Sequence, residues 1–446
     1  MSRPLWEKLQ SLQCHFTWDF EIKDKVEVTH ILTTLALRIK HTGYRNRGIY
    51  LAMRAYLQHL EAQDKEALGT LRDAEEALKE EHPSDFSRQV LVTYGNYAWV
   101  YYHLSNYEMV ERYLGRIREI CQSLASPQPY SAAIPEVEAQ KGWSLLAGGF
   151  RNGEEARRCF QRALEGAEAN EEFRAGLATS VVACWTHSWR EDLREEAQSL
   201  LEQVLVSQPQ NADVEVYLAT ALEQTDPERA KHLADDVIQC SSNPEVLRLA
   251  AKFSRRQPLS WSISILKQAV ALDPGYYLPH YDLGVCYLRV LERMQPENRG
   301  EVAAQAAESF KRSLEACPES VYSRLKLARA YGEKSPAYEE EIYLNLMEKL
   351  PTVSKRCQQA IYLHWGDFLH QQKGREQEAL EAYMAGLRVP GDHPLEQKQL
   401  VGRLKDLARS FQRNAERDRA EEVYRFLEAR RCPEPREERW SKGPRR

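Results

Sequence analysis

A short pattern of small and large apolar residues recurs along most of the chain and restricts the folds available to it. In its clearest form, Leu283 and Tyr287 lie four residues apart and are followed by Ala306, Phe310 and Pro318. A spacing of four places two side chains on the same face of a helix, and a proline disrupts a helix that would run through it. This stretch therefore predicts two helices that pack against each other and end at a turn.

The second helix of this pattern returns at many other places, whereas strand signals are nearly absent. It is recognised by small or apolar residues at spacings of three and four, as in Ala67/Leu71/Ala74, Val110/Leu114/Ile117, Ala156/Phe160/Ala163, Ala197/Leu201/Val204, Ala230/Ala234/Val237, Ser262/Leu266/Ala269, Ala379/Tyr383 and Ala420/Tyr424/Leu427. The order of leucine, glycine, aromatic residue, alanine and proline is that of a tetratricopeptide repeat. The sequence therefore predicts an all-α tetratricopeptide-repeat superhelix, a solenoid of about nine or ten helix pairs.

The repeats are not evenly spaced. Successive second-helix positions between Ala67 and Ala306 lie 43, 46, 41, 33, 32 and 44 residues apart, against about 34 in uninterrupted repeats. Several repeats should therefore contain inserted helices, which can fold back and form a partly closed cavity. We expect an N-terminal half with inserted helices at 1–240, a C-terminal repeat array at 241–429 and a disordered basic tail at 430–446.

Charge and cysteine content narrow the class of protein. The 61 basic and 66 acidic residues nearly balance, so an anion would have to bind at a local patch. Nine scattered cysteines without a C-x-x-C pair favour reduced thiols over disulfides or zinc. Met1 to Leu12 has no long apolar core, and no apolar run approaches the length of a membrane span. We therefore expect a cytoplasmic protein without a membrane partner.

Motifs that carry chemistry are absent from the sequence. There is no phosphate-binding or dinucleotide-binding glycine motif, no zinc-protease or serine-hydrolase motif and no kinase signature. Histidines such as His15, His103 and His280 lie beside aromatic or apolar residues, where a structural role is favoured over that of ligand or base. We expect no enzymatic activity, no cofactor, no metal and no small-molecule substrate.

One stretch could present positive charge to a ligand. If the chain from Asn243 to Arg256 is a continuous helix, Arg248, Lys252 and Arg255 share one stripe, because their spacings are four and three. Apolar residues occupy the other side. The stripe is either a local site for an anion or a basic face exposed to solvent.

Three further residues could line a concave surface of the superhelix. Trp143 is either a core residue of its repeat or a platform on which a base stacks. Thr34 and Arg38 lie four residues apart on a helix predicted from about Glu27 to Lys40. They could direct a hydroxyl and a guanidinium into one pocket, or lie on an ordinary exposed helix face.

Several longer strings are more specific than the repeat pattern. They are C-H-F-T-W at 14–18, A-Y-L-Q-H-L at 55–60, Y-G-N-Y-A-W-V-Y-Y-H at 94–103, K-G-W at 141–143 and V-L-R-L-A-A-K-F-S-R-R at 246–256. Together they resemble the interferon-induced proteins with tetratricopeptide repeats, over most of the chain and most strongly before residue 290. The resemblance implies a cytoplasmic antiviral effector, since several members hold the 5′ end of single-stranded viral RNA, triphosphate or cap, in a positively charged tunnel.

The resemblance also assigns roles to the candidate residues. Arg248 and Arg255 match cationic positions that contact RNA in the family. Trp143 matches the tryptophan that stacks on the cap guanine in the cap-binding member. Thr34 and Arg38 fall near the helix that cradles the 5′ phosphates.

Other positions depart from the RNA-binding members. Ala147 and Ala183 stand where those members have a lysine and an arginine. Glu245, Leu249, Tyr281 and Asp282 stand where they have tyrosine, tyrosine, histidine and glutamine, in that order. Losing two cations and gaining two carboxylates beside a triphosphate is unfavourable where water is excluded.

Two functions follow as hypotheses. The first is an interferon-induced effector that binds the 5′ end of single-stranded viral RNA through Thr34, Arg38, Trp143, Arg248, Lys252 and Arg255 and restricts its translation. The alternative is a protein-interaction scaffold that pairs with sibling tetratricopeptide-repeat proteins or antiviral signalling components without binding RNA itself. Copurification of nuclease-sensitive nucleic acid would distinguish them.

Overall fold

A computed structural model describes residues 3–18, 20, 25–41, 44–188, 190–253, 258–390 and 394–430, and within these ranges the chain forms helices and no β-strand. Three short 3-10 helices are found at Phe150–Asn152, Pro296–Asn298 and Leu350–Thr352. The α-helices, numbered in chain order, are α1 (Arg3–Gln10), α2 (Lys25–His41), α3 (Arg47–Leu60), α4 (Asp64–Glu81), α5 (Phe86–Gln89), α6 (Leu91–His103), α7 (Tyr107–Ser123), α8 (Pro135–Ala147), α9 (Gly153–Gly166), α10 (Glu171–Ser188), α11 (Glu191–Ser207), α12 (Ala212–Leu222), α13 (Pro227–Cys240), α14 (Pro244–Ala251), α15 (Leu259–Leu272), α16 (Tyr277–Leu291), α17 (Gly300–Ala316), α18 (Val321–Gly332), α19 (Pro336–Glu348), α20 (Lys355–Gln371), α21 (Glu376–Arg388), α22 (Pro394–Arg413) and α23 (Arg417–Ala429).

Successive helices pack against each other in pairs, as the repeat pattern predicts. Among the described residues, extensively packed pairs are α3 with α4, α6 with α7, α8 with α9, α10 with α11, α12 with α13, α14 with α15, α18 with α19, α20 with α21 and α22 with α23. Short connections leave each pair little freedom, so each buries one apolar face against its partner and the next pair.

The contact of α8, α9 and α10 shows why small residues belong to the pattern. Phe160 of α9 is fully buried, and its ring lies between Gly142 of α8 and Gly176 of α10. A Cβ atom at these two glycines would come within 2.7 Å and 2.2 Å of the ring. Glycine therefore allows the neighbouring helices to approach the phenylalanine closely.

Prolines follow the ends of second helices, as the sequence predicts. The helices α11, α15, α17, α19 and α21 end two or three residues before Pro209, Pro274, Pro318, Pro351 and Pro390 respectively. Asparagine and aspartate side chains begin several helices: Asn106, Asn211, Asp226 and Asn243 each accept a hydrogen bond from a backbone N–H of the first turn.

The helix predicted from Asn243 to Arg256 is shorter than expected. It begins at Pro244 and ends at Ala251. The backbone N–H groups of Lys252 and Phe253 donate to carbonyls three residues earlier, at 3.1 and 2.9 Å, which tightens the last turn. The ring of Phe253 is buried in the apolar core beside α10 and α12. Arg248 and Lys252 are therefore not followed by further turns of the same helix, and Arg255 lies outside the described residues.

The chain divides into two compact units. The first comprises Met1–Cys286 with Glu315–Cys317, and the second comprises Tyr287–Leu314 with Pro318–Arg446. The predicted division at residue 240 stays a prediction. The disordered tail predicted at 430–446 lies outside the described residues, apart from Arg430.

Other features of the described residues bear on function. None of the helices there has the length and apolar character needed to cross a membrane. The same residues include no group of three histidine, cysteine, aspartate or glutamate side chains that could hold a metal ion. Burial raises the pKa of the Cys14 thiol to about 12, so this thiol is protonated and poorly reactive.

Candidate nucleic-acid interface

Arg38, on α2, lies among tyrosines and a carboxylate contributed by two other helices. Its side chain is half-buried, and its guanidinium carbon lies 5.7 Å from the ring centre of Tyr50 on α3. Burial alone would lower the pKa of Arg38, but Tyr50, Tyr217 and Asp213 outweigh it and raise that pKa. The guanidinium therefore stays charged in a space that water reaches only in part.

Asp213, near the start of α12, is the carboxylate that acts electrostatically on Arg38. Its carboxylate is half-buried. Burial raises its pKa to about 6 and Glu245 acts in the same direction, while Arg38 lowers it. No described residue donates a hydrogen bond to the Asp213 carboxylate or lies within ion-pair distance of it. The charged form of Asp213 is consequently less favourable than that of an ordinary aspartate.

Arg248, on α14, is buried and bound by two carboxylates. It is 9% exposed. Its Nε and Nη2 atoms donate to the two carboxylate oxygens of Glu245 at 2.6 and 2.7 Å, and its Nη1 donates to Asp282 Oδ2 of α16 at 2.9 Å. The ammonium of Lys252 lies 2.8 Å from the same Asp282 oxygen. Both cations are therefore paired within the protein.

A tyrosine completes the pairing of Glu245. The hydroxyl of Tyr276 donates to Glu245 Oε2 at 2.5 Å. Burial would raise the pKa of Glu245, but Arg248, Tyr276 and Lys252 together lower it. Glu245 is thus an ionised, hydrogen-bonded partner of Arg248 and not an acid poised to exchange a proton.

These groups form one electrostatic unit, which we call the mixed-charge site. Glu245 connects its parts, because it acts on the pKa of Asp213 as well as on that of Arg248. The site consists of the side chains of Arg38, Asp213, Glu245, Arg248, Lys252 and Asp282. Three positive and three negative charges give these six side chains a formal sum of zero at neutral pH.

Comparison with known proteins identifies the family of the chain. No protein-family profile matches the chain. The antiviral innate immune response effector IFIT1 of Macaca fascicularis is 30% identical over 426 residues, which cover 92% of this chain and 88% of that protein. The chain belongs to the interferon-induced proteins with tetratricopeptide repeats. Human interferon-induced protein with tetratricopeptide repeats 2 is 28% identical over 448 residues, covering 95% of this chain and 92% of that protein.

Solved structures of the family agree with the fold. The human IFIT1 dimer with m7Gppp-AAAA has a TM-score of 0.76 and 27% identity, covering 95% of this chain and 96% of that chain. The human IFIT1 dimer with PPP-AAAA has a TM-score of 0.72 and 26% identity, covering 96% of this chain and all of that one. The predicted all-α tetratricopeptide-repeat superhelix and the predicted family are both confirmed.

In this family member, Trp143 is a buried side chain. It is 4% exposed, and its ring lies 5.1 Å from that of Phe160 and 5.3 Å from that of Tyr44, measured between ring centres. Ala147 and Ala183 are 4% and 0% exposed in the same apolar cluster. The apolar packing of Trp143 is established by these contacts, while its stacking on a base stays a prediction.

The predicted helix that carries Thr34 and Arg38 is present as α2. Thr34 is half-buried one turn before Arg38. Asp213 acts on the pKa of Arg38, and Glu245, which pairs with Arg248, acts on the pKa of Asp213. The predicted cationic stripe is not a free positive surface in its described part. Arg248 and Lys252, the two described members of the stripe, are both paired with carboxylates.

Local sequence reasoning could not find Asp213 of the mixed-charge site or Tyr217, which acts on the pKa of Arg38. Asp213 and Tyr217 are more than 170 positions from Arg38 and carry no local motif. The pairing of Glu245 with Arg248 has a visible signal, since opposite charges three residues apart on a helix are neighbours. For Asp282, the sequence indicates only that its residue type differs from the one expected from the resemblance. The sequence does not indicate which cation Asp282 contacts.

Proposed function

We propose that this protein is a cytoplasmic antiviral effector that binds the 5′ end of single-stranded RNA at the mixed-charge site and restricts translation of the bound RNA. The observation that carries the proposal is the charged guanidinium of Arg38, which is half-buried over the ring of Tyr50 and interacts electrostatically with the half-buried Tyr217. A partly exposed cation beside a partly exposed aromatic ring can contact a nucleic-acid backbone and a base at once. The related human IFIT1 structures contain m7Gppp-AAAA and PPP-AAAA, which supports a 5′ end as the ligand.

The proposal requires binding and no chemical step. Sequestering a 5′ end removes it from the translation machinery, so the predicted absence of enzymatic activity, cofactor and small-molecule substrate belongs to the same proposal. Sibling tetratricopeptide-repeat proteins are proposed as protein partners, because the human IFIT1 structures cited above are dimers.

Binding can be tested with purified protein and single-stranded RNA labelled at its 3′ end, so that the label leaves the 5′ end unchanged. We expect Arg38→Gln to weaken binding at least about tenfold, because it removes the cation that stands among the tyrosines. Arg112→Ala serves as the control, since this exposed arginine of α7 pairs with Glu108 at 3.5 Å and with no other acidic side chain among the described residues. Circular dichroism verifies that both variants are folded.

The alternative function is a protein scaffold that binds no RNA. The zero formal sum of the mixed-charge site is the observation that favours it, because a site for a polyanion ordinarily carries net positive charge. Failure of every RNA to bind, together with preparations free of nuclease-sensitive nucleic acid, would overturn the proposed function and leave the scaffold.

A further inference from the structure

The balance of charge in the mixed-charge site bears on which 5′ ends can enter it. We infer that the site selects single-stranded RNA whose 5′ end carries little negative charge, a hydroxyl or a monophosphate, over RNA with a 5′-triphosphate. This inference rests on the proposed function, because it concerns the ligand of the same site.

The first argument is that the hydrogen-bond donors of Arg248 are already used within the protein. Arg248 uses three of its N–H donors on Glu245 and Asp282 at distances between 2.6 and 2.9 Å. A phosphate that approached it would have to displace a carboxylate or remain beside two of them. Charge-assisted, bidentate pairs of this kind are the strong ones, so displacement is unfavourable.

The second argument concerns repulsion. Asp213, Glu245 and Asp282 place three negative charges where a triphosphate would bring at least three more. The site is partly shielded from water, and there such repulsion is screened less than on an open surface. A 5′-hydroxyl adds no charge and avoids this repulsion.

The third argument concerns the sum of charge. The six side chains of the mixed-charge site carry three positive and three negative charges, so their formal sum is zero at neutral pH. A site for a polyanion ordinarily carries net positive charge. A chain of phosphates therefore gains less here than at an ordinary RNA-binding site.

The fourth argument identifies what the site offers to an uncharged end. Asp213 is half-buried, and among the described residues it has neither a hydrogen-bond donor nor an ion-pair partner. Such a carboxylate gains from a ligand that donates a hydrogen bond. A 5′-hydroxyl group or the exocyclic amine of a base can do so, whereas a phosphate oxygen at neutral pH cannot.

The test uses the full chain and three RNAs of one sequence, labelled at the 3′ end, with a hydroxyl, a monophosphate or a triphosphate at the 5′ end. The wild type should bind the hydroxyl and monophosphate RNAs at least as tightly as the triphosphate RNA. Asp213→Asn should tighten triphosphate binding about tenfold by removing one repelling charge. It should leave hydroxyl binding within about threefold, because the amide oxygen still accepts a hydrogen bond.

The control variant is Asp236→Asn, an exposed aspartate of α13 that lies next to His232. This variant should change neither affinity. Asp213→Asn removes a charge that has no partner among the described residues, so folding should be retained, and a melting curve verifies this. Triphosphate RNA bound ten times more tightly than hydroxyl RNA by the wild type would overturn the inference and leave the proposed function standing. If none of the three RNAs binds, the proposed function fails and the inference fails with it.

Discussion

Two groups of buried polar residues in the first unit differ in how completely they are paired. One surrounds His15, which is 1% exposed. The Nδ2 amide of Asn96 lies 2.9 Å from His15 Nδ1 and also donates to the carbonyl of Ala52 at 3.1 Å, while His15 Nε2 lies 3.0 Å from Ser144 Oγ. Burial lowers the pKa of His15 to about 3. This group is therefore neutral at physiological pH, and its polar atoms are used within the fold.

The mixed-charge site is charged, half-open and incompletely paired. Arg248 has two carboxylate partners, whereas Asp213 has no hydrogen-bond donor among the described residues. Fully buried polar groups are normally paired within the protein, whereas the partly exposed carboxylate of Asp213 is open to water or to a ligand. The comparison thus separates a polar network that holds helices together from one that is available for binding.

The largest change in stability should come from removing Arg248 from the mixed-charge site. Arg248→Ala leaves Glu245 and Asp282 without their shared partner. Removal of one member of a buried ion pair costs about 3–5 kcal/mol, and we expect a loss of this size in the free energy of unfolding. Urea denaturation followed by circular dichroism measures it.

The exposed pair of Arg112 and Glu108 provides the control, since Arg112→Ala should change the free energy of unfolding by no more than about 0.5 kcal/mol. Adding Asp282→Asn to Arg248→Ala should recover part of the loss. A cost below about 1 kcal/mol for Arg248→Ala would mean that the pairing is not a buried one.

A smaller loss of stability is expected from a substitution in the neutral network around His15. Asn96→Ala removes one of the two side-chain partners of the His15 ring and the side-chain donor to the carbonyl of Ala52. Leaving buried polar groups unsatisfied costs about 1–3 kcal/mol, and the same urea experiment applies. RNA affinity should not change by more than about twofold, because the described hydrogen bonds of this network involve no residue of the mixed-charge site. A selective loss of RNA binding at unchanged stability would contradict the distinction between the two groups.

The smallest effect is a change of affinity with pH. The pKa of Asp213 is raised to about 6 by burial, so lowering the pH from 7.5 to 5.5 protonates this carboxylate and removes a negative charge. The charged or titratable groups that act on it are Arg38, Glu245, Tyr44, Tyr50 and Tyr217. Of these, the tyrosines stay neutral and Arg38 stays charged in this range, and Glu245 has a lowered pKa.

Triphosphate RNA should therefore bind several times more tightly to the wild type at pH 5.5 than at pH 7.5. The phosphates themselves titrate in this range, so Asp213→Asn is measured with the same RNA. The difference between the two proteins reports Asp213 alone. An identical pH response in both would show that Asp213 does not act on the ligand.

Local spacing predicted most of the fold and only part of the site. The helix pairs, the buried Phe160 and the prolines after second helices follow from periodicity within a few residues, which the sequence displays directly. The pairing of Glu245 with Arg248 is of the same kind. The end of α14 at Ala251 was missed, because it accompanies burial of Phe253 against other helices and not a local stop signal. The approach of Asp213 to Arg38 depends on how several repeats stack, and spacing carries no information about that.

The central claim is that Arg248 and Lys252 of the mixed-charge site are neutralised by the carboxylates of that site, and the salt dependence of RNA binding tests it most directly. Each phosphate neutralised on single-stranded RNA adds about 0.7 to the slope of log affinity against log salt concentration. For hydroxyl and triphosphate RNAs of one sequence, the wild type should give slopes that differ by no more than about 0.7, because Arg248 and Lys252 are already paired with carboxylates and do not neutralise the 5′ phosphates. A slope steeper by about 2 for the triphosphate RNA, which corresponds to three neutralised phosphates, would contradict the claim.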